Sequence, residues 1–486
     1  MNIRTSFFVA ALLLTACGGG SGSAPTALAP PNATGAAAIQ PISSFGAISA
    51  FGSVVVNGVR FDISSATLSK NGAPATQAEL AVGQMALVHG SADSNGGNGH
   101  ADRVDVEAAV LGNVASIDTA NNKLVVLGQT IVVSANTSFS ASISSGGLSG
   151  LAAGDYIEVS GNTAANGDLN ATRIEKETGT AFQVLGTIAA LDSTGHTFKI
   201  NALTVNYGSA TLDAFATGHP ANGDVVIIRG TTFTAATTTL TATRVLPSTV
   251  DPRSIAGHDA IEQEGLITRF ASATDFDVAG KKVTTNSSTI FHDGSAADLA
   301  MNAKVEVRGT LDATGTLIAA VITIQHTGVI ELSAAASAVN TTTSTVTVLG
   351  VNVTLNAMTR LEDKSSARLQ LFSINDIHTG DSLLIRGYES PAGSGNIIAT
   401  RVERIPAQLN VVYVRGPFTA TTAPQFKILS VVVDTTGATF FLGEHSTMPS
   451  AIFFSSAPGK IVLVRGTLNG TIVAATQIAI AAREDD

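Results

Sequence analysis

The chain has 486 residues, of which 44% are hydrophobic and only 13% charged, with 47 glycines, one cysteine and no tryptophan. One cysteine excludes an intramolecular disulfide and a cysteine-rich zinc site, and the abundance of Val, Ile, Ala and Thr supplies enough apolar surface to argue against disorder. A net charge of −10 with 5% aromatic residues argues against a nucleic-acid partner, which needs a basic face and stacking rings.

Residues 1–16 read as a secretory signal, with Arg4 near the start and an apolar core from Phe7 to Leu14. That core is far short of the ~20 residues that span a bilayer. The following Leu14-Thr15-Ala16-Cys17 resembles the bacterial lipobox. The resemblance implies diacylation of the Cys17 thiol, removal of the signal and acylation of the new amino group, with the acyl chains anchoring the protein to a membrane. Bacterial lipoproteins with Asp after the cysteine stay in the inner membrane. Gly18 at this place implies the outer membrane, facing periplasm or surface. Residues 17–43 then form the lipidated Cys and a flexible tether, rich in Gly and Ser and stiffened at Pro25, Pro30 and Pro31. A tether of this length spans roughly 25–30 Å.

The rest of the chain repeats. A Gly leads to a Thr nine residues on at Gly58 to Thr67, Gly128 to Thr137, Gly280 to Thr289 and Gly350 to Thr359, and with a substituted start at Ala202 to Thr211 and Ser430 to Thr439. A second glycine ends an alternating strand at Gly90, Gly161, Gly230, Gly309, Gly387 and Gly466, and a third opens each copy at Gly46, Gly112, Gly186, Gly265, Gly328 and Gly416. These landmarks set six β modules at residues 44–109, 110–180, 181–247, 261–325, 326–406 and 407–482, with a linker at 248–260. That linker, with Pro252 and Gly257, is the expected hinge, where the chain can fold back, and the first proteolytic site, whose cleavage is expected to release two three-module halves. Short connections elsewhere predict that modules dock on sequence neighbours.

In the second module, residues 114–118, 123–127 and 130–133 read as three strands joined by turns at Asn121-Asn122 and Gly128-Gln129. A less regular stretch with Leu148 and Leu151 leads through Gly154-Asp155 to a fourth strand, 156–161, and past Asn166-Gly167 to a fifth, 169–174. Three strands, a short irregular or helical piece and a hairpin give the element order of the OB-type barrel. The expected fold class is therefore all-β, six tandem small OB-like barrels after a lipoprotein signal peptide and tether. Closure suits units whose open edges would otherwise aggregate. The Gly-x-Ile/Val start, the Gly-to-Thr stretch, the Gly-Asp strand and the Ala-Thr-Arg close are similar to the bacterial domain of unknown function 5666. That resemblance covers about residues 44–482 and implies no catalytic residues. The fourth copy departs from it at Asn302-Ala303-Lys304, and the sixth at Gly459-Lys460 and Thr476-Gln477.

No catalytic, cofactor or metal site emerges. The nine histidines are scattered without a His-Glu-x-x-His arrangement, and no Gly-x-Ser-x-Gly sits at a strand-to-helix elbow. The Asp93 to Asp102 segment offers oxygen ligands at alternate positions but no closing bidentate Glu, and aligns as a turn at Asn98-Gly99. Arginines recur before the fourth-strand glycine (Arg229, Arg308, Arg386, Arg465) and in the fifth strand (Arg103, Arg173, Arg244, Arg401). They form either an anion-binding stripe or, as we favour, cross-strand pairs with Asp155, Asp224, Glu306 and Asp381. The expected function is a structural spacer or weak multivalent binder of envelope glycan or protein, without catalysis. The alternative is an enzyme, or its accessory subunit, acting on envelope polysaccharide.

Overall fold

The computed structural model describes residues 39–480 apart from 52, 94–96, 135, 144–146, 214, 216–217, 249–259, 327–328, 391–393, 409 and 443–445. The signal, Cys17 and most of the linker therefore lie outside the described residues. The chain is all-β with six repeated units, and Ser450–Ser456 is the one α-helix among the described residues. The first strand, Ile39–Ala50, starts before the expected end of the tether at residue 43, and Ala260, expected in the linker, opens the strand Ala260–Ser272.

The second module shows the unit. Its first strand, Val110–Asp118, pairs with Lys123–Val126, which turns back as Gln129–Val132. That third strand runs parallel to the fifth, Leu169–Lys176, which pairs with the fourth, Tyr156–Thr163, and the fourth returns to the first. The pairings thus run first, second, third, fifth, fourth and back to first. The same circuit recurs in the other five modules.

The recurring residues hold this circuit together. The fourth-strand glycines each sit at a shift of register against the fifth strand. A Cβ there would stand 1.9–2.4 Å from a carbonyl oxygen of the facing strand, so only glycine lets the ladder bulge. The Thr nine residues after the turn ties the third-strand exit to the fifth strand. Thr137 accepts from the Ser134 amide (3.0 Å) and donates to the Ala171 carbonyl (2.8 Å), and Thr289 and Thr359 repeat this on Ala319 and Ala399 at 2.7 Å. One landmark is misplaced. Gly328 lies outside the described residues, and the residue of the fifth module in the register of Gly112 is Ala334, opposite Leu383 as Gly112 is opposite Ile157. Pairing with the fourth strand, not distance from the preceding copy, fixes that register. Asn98-Gly99 is likewise not a turn but the start of the fifth strand, Asn98–Val106.

The modules do not dock only on sequence neighbours. First strands pair in couples: module 2 with 3 antiparallel (Val110↔Val184), module 5 with 6 antiparallel (Leu332↔Val414), and module 1 with 4 parallel, from Ile42↔Ala260 to Phe45↔Gln263. Modules 2 and 3 share one apolar core and modules 5 and 6 another, the latter closed by Phe453 of the helix against Phe418, Phe426 and Phe440. Modules 1 and 4 keep separate cores. The pairing across the 248–260 connection departs from the neighbour-docking expectation, because the first strand of module 1 has an edge that only another strand can satisfy.

Two expectations follow. Gly161→Ala should cost about 1–3 kcal/mol through its clash with the Asn170 carbonyl, whereas Gly147→Ala, with open space at its Cβ, should stay within about 0.5 kcal/mol, both read from urea midpoints. A protease site engineered between residues 250 and 258 should give a nicked chain that elutes as one species in native gel filtration. Release of two separate halves would contradict the pairing of modules 1 and 4.

Candidate functional site

The strand register brings the arginine rows face to face, with Arg229 opposite Arg244, Arg386 opposite Arg401, His89 opposite Arg103 and Ser160 opposite Arg173. Like charges stay together there because each has a carboxylate. Arg229 pairs with Glu107 (2.9 Å), Arg308 with Glu262 (3.5 Å), Arg386 with Glu331 (3.0 Å), Arg103 with Asp105 (2.6 Å), Arg173 with Glu175 (3.0 Å), Arg244 with Asp213, and Arg401 with Glu362 (2.9 Å) and Glu403 (2.6 Å). Arg465 lies exposed. These are not the acids expected. Asp155 pairs with Lys176, Asp381 with Arg404, and Asp224 accepts from the Ala221 amide. First-strand residues opposite the arginine, such as Glu262 and Glu331, are the ones in reach.

Several of these charges meet between modules rather than within one. Lys70 of module 1 bridges Glu158 (3.1 Å) and Glu175 (3.4 Å) of module 2, and Arg173 of module 2 gives Nη1 to the Val82 carbonyl of module 1 (3.0 Å). Ser44 of module 1 donates to Glu262 of module 4 (2.9 Å), and Asn162 of module 2 donates to Glu264 of module 4 (3.3 Å). Arg360 and Arg401 of module 5 reach the carbonyls of Asn136 (3.2 Å) and Thr137 (2.9 Å) in module 2. Modules 1, 2, 4 and 5 therefore share a buried polar junction.

Burial and charge pull its carboxyls in opposite directions. Burial would raise Glu264, but Lys304 at 2.8 Å and the Arg360 charge outweigh it and hold the group at about 2. Glu403 is held at about 2 against burial by Arg401, Lys364 and Arg386. For Glu262 burial outweighs Arg308 and raises the group to about 7, and for Glu306 burial, with the Glu262 and Glu264 charges, raises it well above the carboxylate range.

Two cavities open on this junction. One of about 100 Å³ lies between modules 2, 4 and 5, with Lys304, Arg360, Arg401, Asn136, His326 and Tyr388 on its polar side. Another, of about 360 Å³, lies between modules 1, 2 and 5, with Phe51, Val82, Phe139 and Leu369 beside Arg173 and Glu362. Among the described residues no three of His, Cys, Asp and Glu gather as a metal site. The Asp93 carboxylate accepts from the amides of Gly97 (2.8 Å) and Asn98 (3.2 Å), as a turn-capping side chain does.

Sequence reasoning missed the junction, although its signal is present in breaks of the repeat. Arg360 follows the landmark Thr where the other copies carry Leu68, Ser138, Leu212, Ile290 and Phe440. Lys304 stands where they carry Met85, Tyr156, Val225, Ser382 and Ile461. The departure at Asn302-Ala303-Lys304 is thus the place where Glu264 finds its cation.

Comparison with known families gives one match. The family described as Domain of unknown function (DUF5666) matches at residues 41–105, 112–175, 185–245, 264–323, 334–403 and 415–479. No curated protein matches the chain.

The two first-strand glutamates should respond oppositely to pH. Glu262 holds its proton more tightly folded than unfolded, so its contribution is full below about 4.5 and is lost as pH rises through about 7. Glu262→Gln should flatten the loss of stability between pH 5 and 8, an effect of a few kcal/mol. Glu264 contributes above about 4.5 and loses that contribution as pH falls toward about 2. Glu264→Gln leaves the half-buried Lys304 without its partner and should cost about 1–3 kcal/mol at pH 7, with the difference from wild type shrinking toward pH 3. Urea midpoints at these pH values check both signs.

Proposed function

The chain belongs to the DUF5666 family six times over, and from that premise we propose that it is a lipid-anchored cell-envelope protein, structural or weakly multivalent in binding, without catalysis. Cys17 is the lipidation site and the outer membrane the location, with the described body carried on the tether. The modules are small OB-like barrels. The circuit of strand pairings, with the third and fifth strands parallel and the fourth returning to the first, supports that reading.

The observation that carries the functional reading is where the charge goes. Polar contacts of the junction run between modules: Lys70 to Glu158 and Glu175, Ser44 to Glu262, Asn162 to Glu264 and Arg401 to the Thr137 carbonyl tie modules 1, 2, 4 and 5 into one body. Charges used that way favour a structural element over a chemical machine. Six similar outer surfaces on one chain give avidity for a repeated envelope partner, glycan or protein. The alternative, an enzyme or accessory subunit acting on envelope polysaccharide, draws on the larger cleft between modules 1, 2 and 5, where Glu362 and Asp363 line one wall.

Cys17→Ser tests the anchor. The variant should lose incorporation of labelled fatty acid and leave the outer-membrane fraction. A variant that keeps both contradicts the lipoprotein reading. A glycan array and an envelope pull-down with the 39–486 fragment test the binding half.

A further inference from the structure

The six-fold repeat accounts for many similar surfaces, but one cavity is lined by residues that break the repeat, Lys304 and Arg360. It lies between modules 2, 4 and 5, about 100 Å³ in volume, and its polar wall holds three cations, Lys304, Arg360 and Arg401. Two of them are neutralised. Lys304 has Glu264 at 2.8 Å, and Arg401 has Glu362 at 2.9 Å and Glu403 at 2.6 Å. Arg360 is only 9% exposed, stands in register beside Arg401 on the neighbouring parallel strand, and has no carboxylate within 4 Å among the described residues. Among the described residues its one side-chain hydrogen bond runs from Nη1 to the Asn136 carbonyl at 3.2 Å. The Glu264 and Glu362 charges act on Arg360 at longer range and the neighbouring Arg401 opposes them, so a guanidinium with most of its donors unspent on protein groups gains from an anion facing it across the cavity.

We propose that this cavity binds the carboxylate of a small organic acid or of a terminal acidic sugar, with Arg360 as its anchor. Three features select that class. Of the three cations only Arg360 lacks a carboxylate within 4 Å among the described residues, and one unpaired guanidinium suits a monoanion over a dianionic phosphate. The planar fork of guanidinium donors matches two carboxylate oxygens side by side. The remaining wall sets Ile324, Met358, Ile398 and the Tyr388 ring beside Asn136, Thr323 and Gln325, which suits a small organic body of mixed polarity over a bare hydrated ion. Asp293 also lines the cavity, and the His326 ring, 4.6 Å from that of Tyr388, gives a hydrogen bond between its Nε2 and the Asp293 carbonyl (2.6 Å). This edge repels a second negative charge on the ligand. The site goes beyond the structural and multivalent reading, because it is assembled only when three modules meet.

The test is titration of the folded 39–486 fragment at pH 7 with acetate, glucuronate, inorganic phosphate and chloride at matched ionic strength, read by calorimetry and by thermal melting. Acetate and glucuronate should bind and raise the melting temperature, phosphate and chloride should not, and Arg360→Gln should weaken carboxylate binding at least tenfold, with partial recovery in Arg360→Lys. Met358→Trp, which fills the cavity and leaves Arg360 in place, should abolish binding and decides the matter if Arg360→Gln does not fold. No carboxylate binding by wild type, equal binding of chloride, or undiminished binding by Met358→Trp overturns the proposal. Binding of glucuronate but not acetate places the ligand among acidic sugars, within the proposal.

Discussion

The first strand of each module has one backbone edge that its own module cannot satisfy. Val110–Asp118 gives one edge of its N-terminal half to the fourth strand and turns to the second strand only from Val114 onward. The opposite edge at Val110 and Leu111 would be left with bare N–H and C=O groups, which are costly when buried and adhesive when exposed. Another module's first strand takes that edge. The requirement recurs in every copy and is met by pairing the copies, 1 with 4, 2 with 3 and 5 with 6.

How the couples are held differs in kind. The antiparallel couples merge their apolar cores, so hydrophobic burial does most of the joining. The parallel couple of modules 1 and 4 meets through Ser43, Ser44, Glu262 and Gln263, all buried. A chain of six near-copies faces a specific hazard, because any first strand could pair with any other. Buried ion pairs contribute little net stability after desolvation, but a charge buried without its partner is strongly unfavourable. Lys70 with Glu158, Ser44 with Glu262, Asn162 with Glu264, and Arg360 with the Asn136 carbonyl are satisfied only when modules 1, 2, 4 and 5 meet in this arrangement. They are suited to choosing among pairings that the backbone alone would accept.

The unit was legible because its constraints are local. Glycine spacing marked the bulges, where a carbonyl oxygen 2.4 Å or closer excludes any side chain, and Thr137, Thr289 and Thr359 marked the tie to the fifth strand. Spacing failed where pairing sets the register: Gly328 was counted as the landmark, and the pairing with Leu383 gives that place to Ala334. The coupling of modules was not legible, because short connections constrain neighbours and say nothing of a distant copy returning. The candidate site was hidden by the strength of the repeat itself. Averaging over six copies discards Lys304, Arg360 and Glu264 as exceptions, and those exceptions build the junction.

The central claim is that the repeated modules are coupled into a body through first-strand pairing and the charged junction, and do not act as independent beads. Hydrogen exchange followed by mass spectrometry across a urea series tests this most directly, since it reports unfolding segment by segment. Segments of modules 1, 2, 4 and 5 should lose protection together, at one urea concentration, with the amides of Ser44 and Glu262 among the last to exchange. Six separate midpoints, one for each module, would contradict the account.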